Sequence, residues 1–126
     1  MSTGVMKSRG VLEYGPNCAR VLVDREIINY YWSLIPKAKR VGLNRPYHPP
    51  HITVVRERIE KPLFDNWGYR EDELIPFTYY PYIRLDEMYA WIDAWSDDIQ
   101  QIRVKLGLPP LRVGYRRFHI TIGNRK

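Results

Sequence analysis

Short runs of apolar and β-branched residues, broken by turn clusters, alternate along this chain with two stretches of helical spacing. Gly10–Tyr14 and Cys18–Val23 read as strands joined by Gly15-Pro16-Asn17, so a hairpin is expected to open the fold. Asp24 is placed to cap a helix over Arg25–Ile35. In it Ile27, Ile28, Tyr31, Trp32 and Ile35 recur at helical spacing, and Pro36 closes the run. Lys37–Pro50 reads as a loop that feeds a strand over His51–Glu57, and Leu63–Gly68 as a short helical turn or lid. Two further strands are expected near Leu74–Leu85 and Met88–Ala94, the first at a sheet edge because of Pro76. In the second, Met88, Ala90, Ile92 and Ala94 share one face, and Tyr89, Trp91 and Asp93 the other. Ser96 caps a second helix over Asp97–Leu106, with an apolar stripe of Ile99, Ile102 and Leu106, and Gly107 with Pro109-Pro110 ends it. A last strand spans Arg116–Asn124.

This order runs strand, strand, helix, strand, and then the same again. The final strand of each half carries the same short pattern, His51-Ile52-Thr53-Val54 in one and His119-Ile120-Thr121-Ile122 in the other. Side chains alternate along a strand, so each copy turns one imidazole and one hydroxyl to a common face and its apolar residues to the opposite one. For one copy alone, a His and a Thr on the polar face of a half-buried strand need no function. Two copies in equivalent places point to a shared site. The simplest arrangement is a two-lobed α+β fold, with pseudo-symmetric antiparallel sheets, flanking helices, and both motif strands central and facing one groove.

The chain of 126 residues is read as a single domain spanning 1–126, with residues 1–8 expected to be flexible. Its one cysteine, Cys18, cannot form an intramolecular disulfide, and no apolar run approaches a membrane span. A cytoplasmic protein without membrane association is the expectation. Net charge is +6, and it is segregated. Residues 103–126 hold seven Lys or Arg and no acid, residues 37–61 hold seven against two, and residues 65–98 hold nine acids against two basic residues. Both His motifs fall in basic stretches, so an anionic ligand near them is the natural inference, with a generally basic, solvated surface as the alternative that charge alone does not separate from it.

Together these residues resemble the 2H phosphoesterase superfamily, in its compact bacterial and phage forms. Its mark is a pair of His-x-Thr/Ser-apolar motifs on central strands of a two-lobed α+β fold. The Pro49-Pro50 before the first motif, Gly123 after the second, and the Ser-capped helix ending in Leu106-Gly107-Leu108-Pro109-Pro110 are similar as well. The resemblance implies a metal-independent phosphodiesterase, without cofactor. Its substrates would be 2′,3′-cyclic phosphates at RNA ends or cyclic or 2′–5′-linked nucleotides. His51 and His119 would be catalytic.

The residue chemistry agrees on its own terms. Two imidazoles with pKa values near ~6.5 can divide the roles of base and acid, and Thr53 and Thr121 can donate hydrogen bonds to phosphate oxygens. Arg117 shares strand parity with His119 and Thr121 and is the best basic candidate for the groove. Gly123, on the same parity, would let a ligand approach the backbone. Tyr47 and Tyr115, and with them Tyr14 and Trp67, are candidates to stack on a base. His48 with His51 and His119 could suggest a metal, yet no carboxylate or cysteine stands at a convincing spacing, so none is expected. Two readings from other classes remain: a non-catalytic RNA- or nucleotide-binding module, and an interaction protein whose strands happen to carry His and Thr.

Overall fold

The computed structural model describes residues 4–56 and 59–125. Strands β1 (Met6–Tyr14) and β2 (Ala19–Leu22) form the expected hairpin, closed by a hydrogen bond of 2.8 Å from the Gly15 amide to the Cys18 carbonyl. Helix α1 (Arg25–Leu34) comes next, its first turn capped by the Asp24 carboxylate, which accepts from the Glu26 amide at 2.9 Å. Then come β3 (His51–Val55), β4 (Leu74–Tyr79), the two-residue β5 (Arg84–Leu85) and β6 (Tyr89–Trp95). Helix α2 (Asp97–Lys105) and strand β7 (Phe118–Asn124) complete the chain. The Ser96 hydroxyl accepts from the Ile99 amide and donates to the Pro76 carbonyl, so one side chain both caps α2 and ties it to β4.

The strands do not form two lobes. They run β4-β1-β2-β3-β7-β6, all pairs antiparallel, and β6 then pairs back onto β4 through Thr78↔Trp95 and Tyr79↔Ala94. Six strands thereby close a barrel, with β5 as a short addition on β6. The two-lobed α+β expectation is corrected to a small, mostly β protein with two short helices. The cause is the length of β1, whose nine residues pair with β2 at one end and with β4 along Met6–Val11, so the first and second halves share one sheet. Closure removes exposed strand edges, a gain that no local pattern announces.

Several boundaries shift for local reasons. The expected strand Leu74–Leu85 breaks after Tyr79, where Pro81 lacks a donor and the Tyr82 amide turns back to the Tyr80 carbonyl. Pro76 is not at a free edge, since β4 lies between β1 and β6. It falls where only β1 pairs with β4, opposite Arg9, so no ladder bond to β6 is lost. Glu57, expected to end the first motif strand, lies outside the described residues, as do residues 1–3 of the N-terminal stretch expected to be flexible. Within that stretch, Met6–Ser8 already pair with β4. The segment expected to be a turn or lid is a 3₁₀ turn at Phe64–Asn66. It is docked on the end of α2 by hydrogen bonds from Asn66 Nδ2 to the Lys105 carbonyl and from the Leu63 amide to the Leu106 carbonyl.

The core gathers Leu12, Val21, Ile52, Ile75, Ile92, Ile99, Ile102 and Ile120, all fully buried. Each such side chain contributes roughly 1.5–3 kcal/mol through burial. Ile52 and Ile120, the middle residues of the two motifs, belong to this core, and that sends their His and Thr neighbours to the opposite face. Among the described residues no helix is long and apolar enough to cross a membrane.

Candidate active site

The two motif strands are direct neighbours. β3 and β7 pair antiparallel with Ile52 opposite Ile120, which sets Thr53 opposite His119 and His51 opposite Thr121. Directly opposed residues have Cβ atoms about 4.5–5.5 Å apart and diagonal ones roughly 7–8 Å, so the two imidazoles sit diagonally within reach of one small group. The flanking strands extend this square into two rows. One runs Arg20, Thr53, His119, Asp93 across β2, β3, β7 and β6, and the other runs Leu22, His51, Thr121, Trp91.

Each motif ends in the same irregularity. An extra residue enters β3 between Thr53 and Val55, and another enters β7 between Thr121 and Gly123. A bulge of this kind reverses the facing of the residues beyond it. Gly123 is therefore not on the face of His119 and Thr121, as strand parity implied, but turned the other way. A methyl group there would come within 2.9 Å of the Trp32 ring and 3.0 Å of the Asn44 carbonyl. Its lack of a side chain serves the packing of α1 on β7 and not the approach of a ligand.

His51, Thr53, His119 and Thr121 all line one open groove of about 990 Å³. The strands supply Arg20, Arg84, Tyr89, Trp91 and Asp93 to its walls, and the loop before β7 supplies Arg112, Tyr115, Arg116 and Arg117. Within it a recess of about 20 Å³ is bounded by Thr53, Arg112, Tyr115, Arg117 and His119, which is room for one water-sized group such as a phosphate oxygen. Among the described residues no three His, Cys, Asp or Glu side chains gather in a way that could hold a metal ion.

The two imidazoles have different surroundings. His51 Nδ1 lies 2.8 Å from the Pro49 carbonyl, which can only accept, so Nδ1 carries the proton and Nε2 keeps a free lone pair. Burial lowers the pKa of His51. The Pro49 bond opposes that shift, and the charges of Arg20 and His48 add to it. His119 stacks on Tyr115, with ring centroids 6.2 Å apart and planes inclined by 19°. Burial lowers its pKa too, followed by the nearby positive charge of Arg112 and then that of His51, while Asp93 acts in the other direction. Each histidine is thus held towards its neutral form, and the charge of His51 is felt at His119.

Arg117 reaches the groove but is not a free cation. Its guanidinium lies 3.2 Å from Asp93, which also takes Arg84 at 2.8 Å, and it lies over the Tyr80 ring. Arg112, which sequence reasoning does not single out, is the cation that acts most on His119. Its guanidinium lies 4.4 Å from the centre of the Tyr115 ring, and the residue borders the water-sized recess. The available signal is its place in the acid-free run 103–126. Tyr115 is brought to the site, whereas Tyr47 is 95 % exposed, packs on His48 and does not line the groove. Tyr14 and Trp67 pack edge to face on each other, away from the groove, with the Tyr14 hydroxyl donating to the Tyr69 carbonyl and pushed up to about 12, chiefly by burial. The alternation that puts Tyr89, Trp91 and Asp93 on one face of a strand gives no hint of a site, yet that face is a wall of the groove.

Behind the site stands Arg103 of α2, fully buried. It donates to the Val54 carbonyl in the β3 bulge at 2.6 Å, to the Pro109 carbonyl at 2.9 Å, and to both oxygens of Glu60 at 3.0 and 2.5 Å. Burial alone would raise the Glu60 carboxyl, but the Arg103 bonds and the Arg56 amide hold it below its usual value. One side chain thereby joins the bulge after Thr53, the segment after Arg56, and the loop that brings Arg112 and Tyr115. No protein-family model matches this chain, and no curated protein or solved structure matches it either.

Proposed function

We propose that this protein is a metal-independent phosphodiesterase acting on 2′,3′-cyclic phosphate RNA ends or on cyclic or 2′–5′-linked nucleotides, with His51 and His119 as the acid–base pair. The observation that carries this reading is the Ile52↔Ile120 register, which sets two His-Thr pairs side by side at the floor of an arginine-lined groove. The motif resemblance to the 2H phosphoesterases supports it, although the two-lobed fold that the resemblance implied does not hold.

In hydrolysis, one neutral imidazole takes a proton from water as the oxygen attacks phosphorus. The bond from phosphorus to the departing ribose oxygen breaks, and the other imidazole, protonated at the start, gives its proton to that oxygen. His51 suits the first role, because the Pro49 carbonyl fixes its proton on Nδ1 and leaves Nε2 to accept. His119 suits the second, since a phosphate beside it would offset the Arg112 charge that disfavours its protonated form. Thr53, Thr121 and Arg112 would hold the non-bridging oxygens, where negative charge grows in the transition state. Tyr115 and Trp91 offer flat faces for a base.

The test is a panel of cyclic and 2′–5′-linked nucleotides offered to the purified protein with and without a chelator. Turnover that persists in EDTA is the expected result. Binding without turnover of any member would instead identify a nucleotide-binding module, a reading that the number of arginines in the groove makes concrete.

A further inference from the structure

The basic residues that crowd the sequence between 37 and 61 do not all serve the groove. Arg56 lines it, but Lys37, Lys39, Arg40 and Arg45 do not. They gather on the α1 side of β7, the side to which the bulge turns Gly123 against Trp32. Arg40 and Arg45 both lie over the Trp32 ring, at 6.0 and 5.2 Å from its centre. Arg45 donates to the Asn29 side-chain oxygen at 2.7 Å, and Arg125, at the end of β7, donates to the Lys39 carbonyl at 2.9 Å. Three separate stretches of chain thus meet here, with the Arg40 and Arg45 guanidiniums on one ring and that of Arg125 against the backbone of the turn that carries Lys37 and Lys39.

The partners that fix these guanidiniums are an amide, a carbonyl and an indole, all neutral. No ion pair joins Lys37, Lys39, Arg40, Arg45 or Arg125 to an acid among the described residues. Asp86 lies within electrostatic reach of Arg125 without pairing with it. Among the described residues positive charge is thus in excess here, with Asp86 the acid that acts on Arg125, and an external anion would relieve the repulsion. Arg125 also links this surface to the groove, because its amide donates to the Met88 carbonyl at 2.9 Å, in the turn whose Asp86 lies on the groove's rim.

We infer that this surface binds the phosphate backbone of a single-stranded nucleic acid, as a contact outside the groove for a strand longer than the groove itself holds. Rigid, planar guanidinium forks match phosphate oxygens in pairs. Trp32 is boxed in by them and does not project as a membrane anchor would. The inference extends the reading of the groove as a nucleotide site, but its test reads binding and not turnover, so the two can fail separately.

Fluorescence anisotropy with a labelled oligouridylate and with a labelled dinucleotide supplies the test. The variant K37E/K39E alters two exposed side chains, and Arg45→Gln removes one fixed charge. The expected result is a loss of roughly tenfold or more in affinity for the long strand. The salt slope should fall by about 0.7 for each phosphate contact removed, and dinucleotide binding should stay unchanged. Equal affinity of variant and wild type for the long strand would overturn the inference. So would a wild-type protein that binds the long strand no better than the dinucleotide. A loss confined to vesicles of anionic phospholipid would also overturn it, in favour of a lipid surface.

Discussion

The two copies of the His-Ile-Thr pattern are alike in their backbone and unlike in everything around it. Both lie on neighbouring strands, both bury the central isoleucine, and both end in a bulge after the threonine. Their surroundings differ. His51 is pinned through Nδ1 to the Pro49 carbonyl, while His119 stacks on Tyr115, faces Asp93 across β6 and sits under the charge of Arg112. A repeated local pattern therefore fixes where the two imidazoles stand, and the non-repeated loops fix what each can do. If the copies divide base and acid between them, the asymmetry should be visible in kinetics.

The largest effect should come from the imidazoles. His51→Ala and His119→Ala should each lower turnover of a cyclic phosphate by about 10²–10⁴-fold, with the far-UV circular dichroism unchanged. One variant with full turnover would break the comparison, since one copy would then be ornamental. Thr53→Val and Thr121→Val remove one hydroxyl hydrogen bond each and should cost roughly tenfold, about the value of a single such bond. Steady-state kinetics that show both threonine variants equal to wild type would remove the hydroxyls from the site.

Much of this site is legible in the sequence because its signals are local. A His and a Thr two residues apart share a face on any strand, and the caps at Asp24 and Ser96 state where helices begin. The illegible part depends on pairings across the chain. Closure of β6 onto β4, the two bulges, and the Arg103 clamp join residues that only the folded register brings together. Gly123 illustrates the limit, for its parity along the sequence is right and a single inserted residue reverses its facing. Arg112 and Tyr47 are the converse pair. Both sit in loops, where no periodicity tells which side chain reaches the groove, and the structure brings in Arg112 and leaves Tyr47 outside.

Arg117 should matter less than either threonine. It already shares Asp93 with Arg84, so Arg117→Ala should raise KM a few-fold and flatten its salt dependence while sparing kcat. Kinetics that are the same at low and high salt would make it a partner of Asp93 alone.

The smallest effect concerns stability against acid. Burial lowers the pKa of both histidines below the usual value near ~6.5, so the unfolded chain takes up protons before the folded one does. Their contribution to stability is complete above that value and is lost as pH falls through it towards the lower folded values. Urea unfolding from about pH 7.5 to 5 should therefore show a steeper loss in wild type than in a protein with both histidines changed to asparagine. Parallel curves would mean that neither imidazole is held neutral by the fold.

The central claim, that His51 and His119 act in one step on one phosphate, is tested most directly by comparing the double variant with the two single ones on the same cyclic phosphate. If both groups are needed together, His51→Ala combined with His119→Ala should cost far less than the product of the single losses, because the first change already disables the step. Losses that multiply in full would show that the two imidazoles act independently, and would contradict the account.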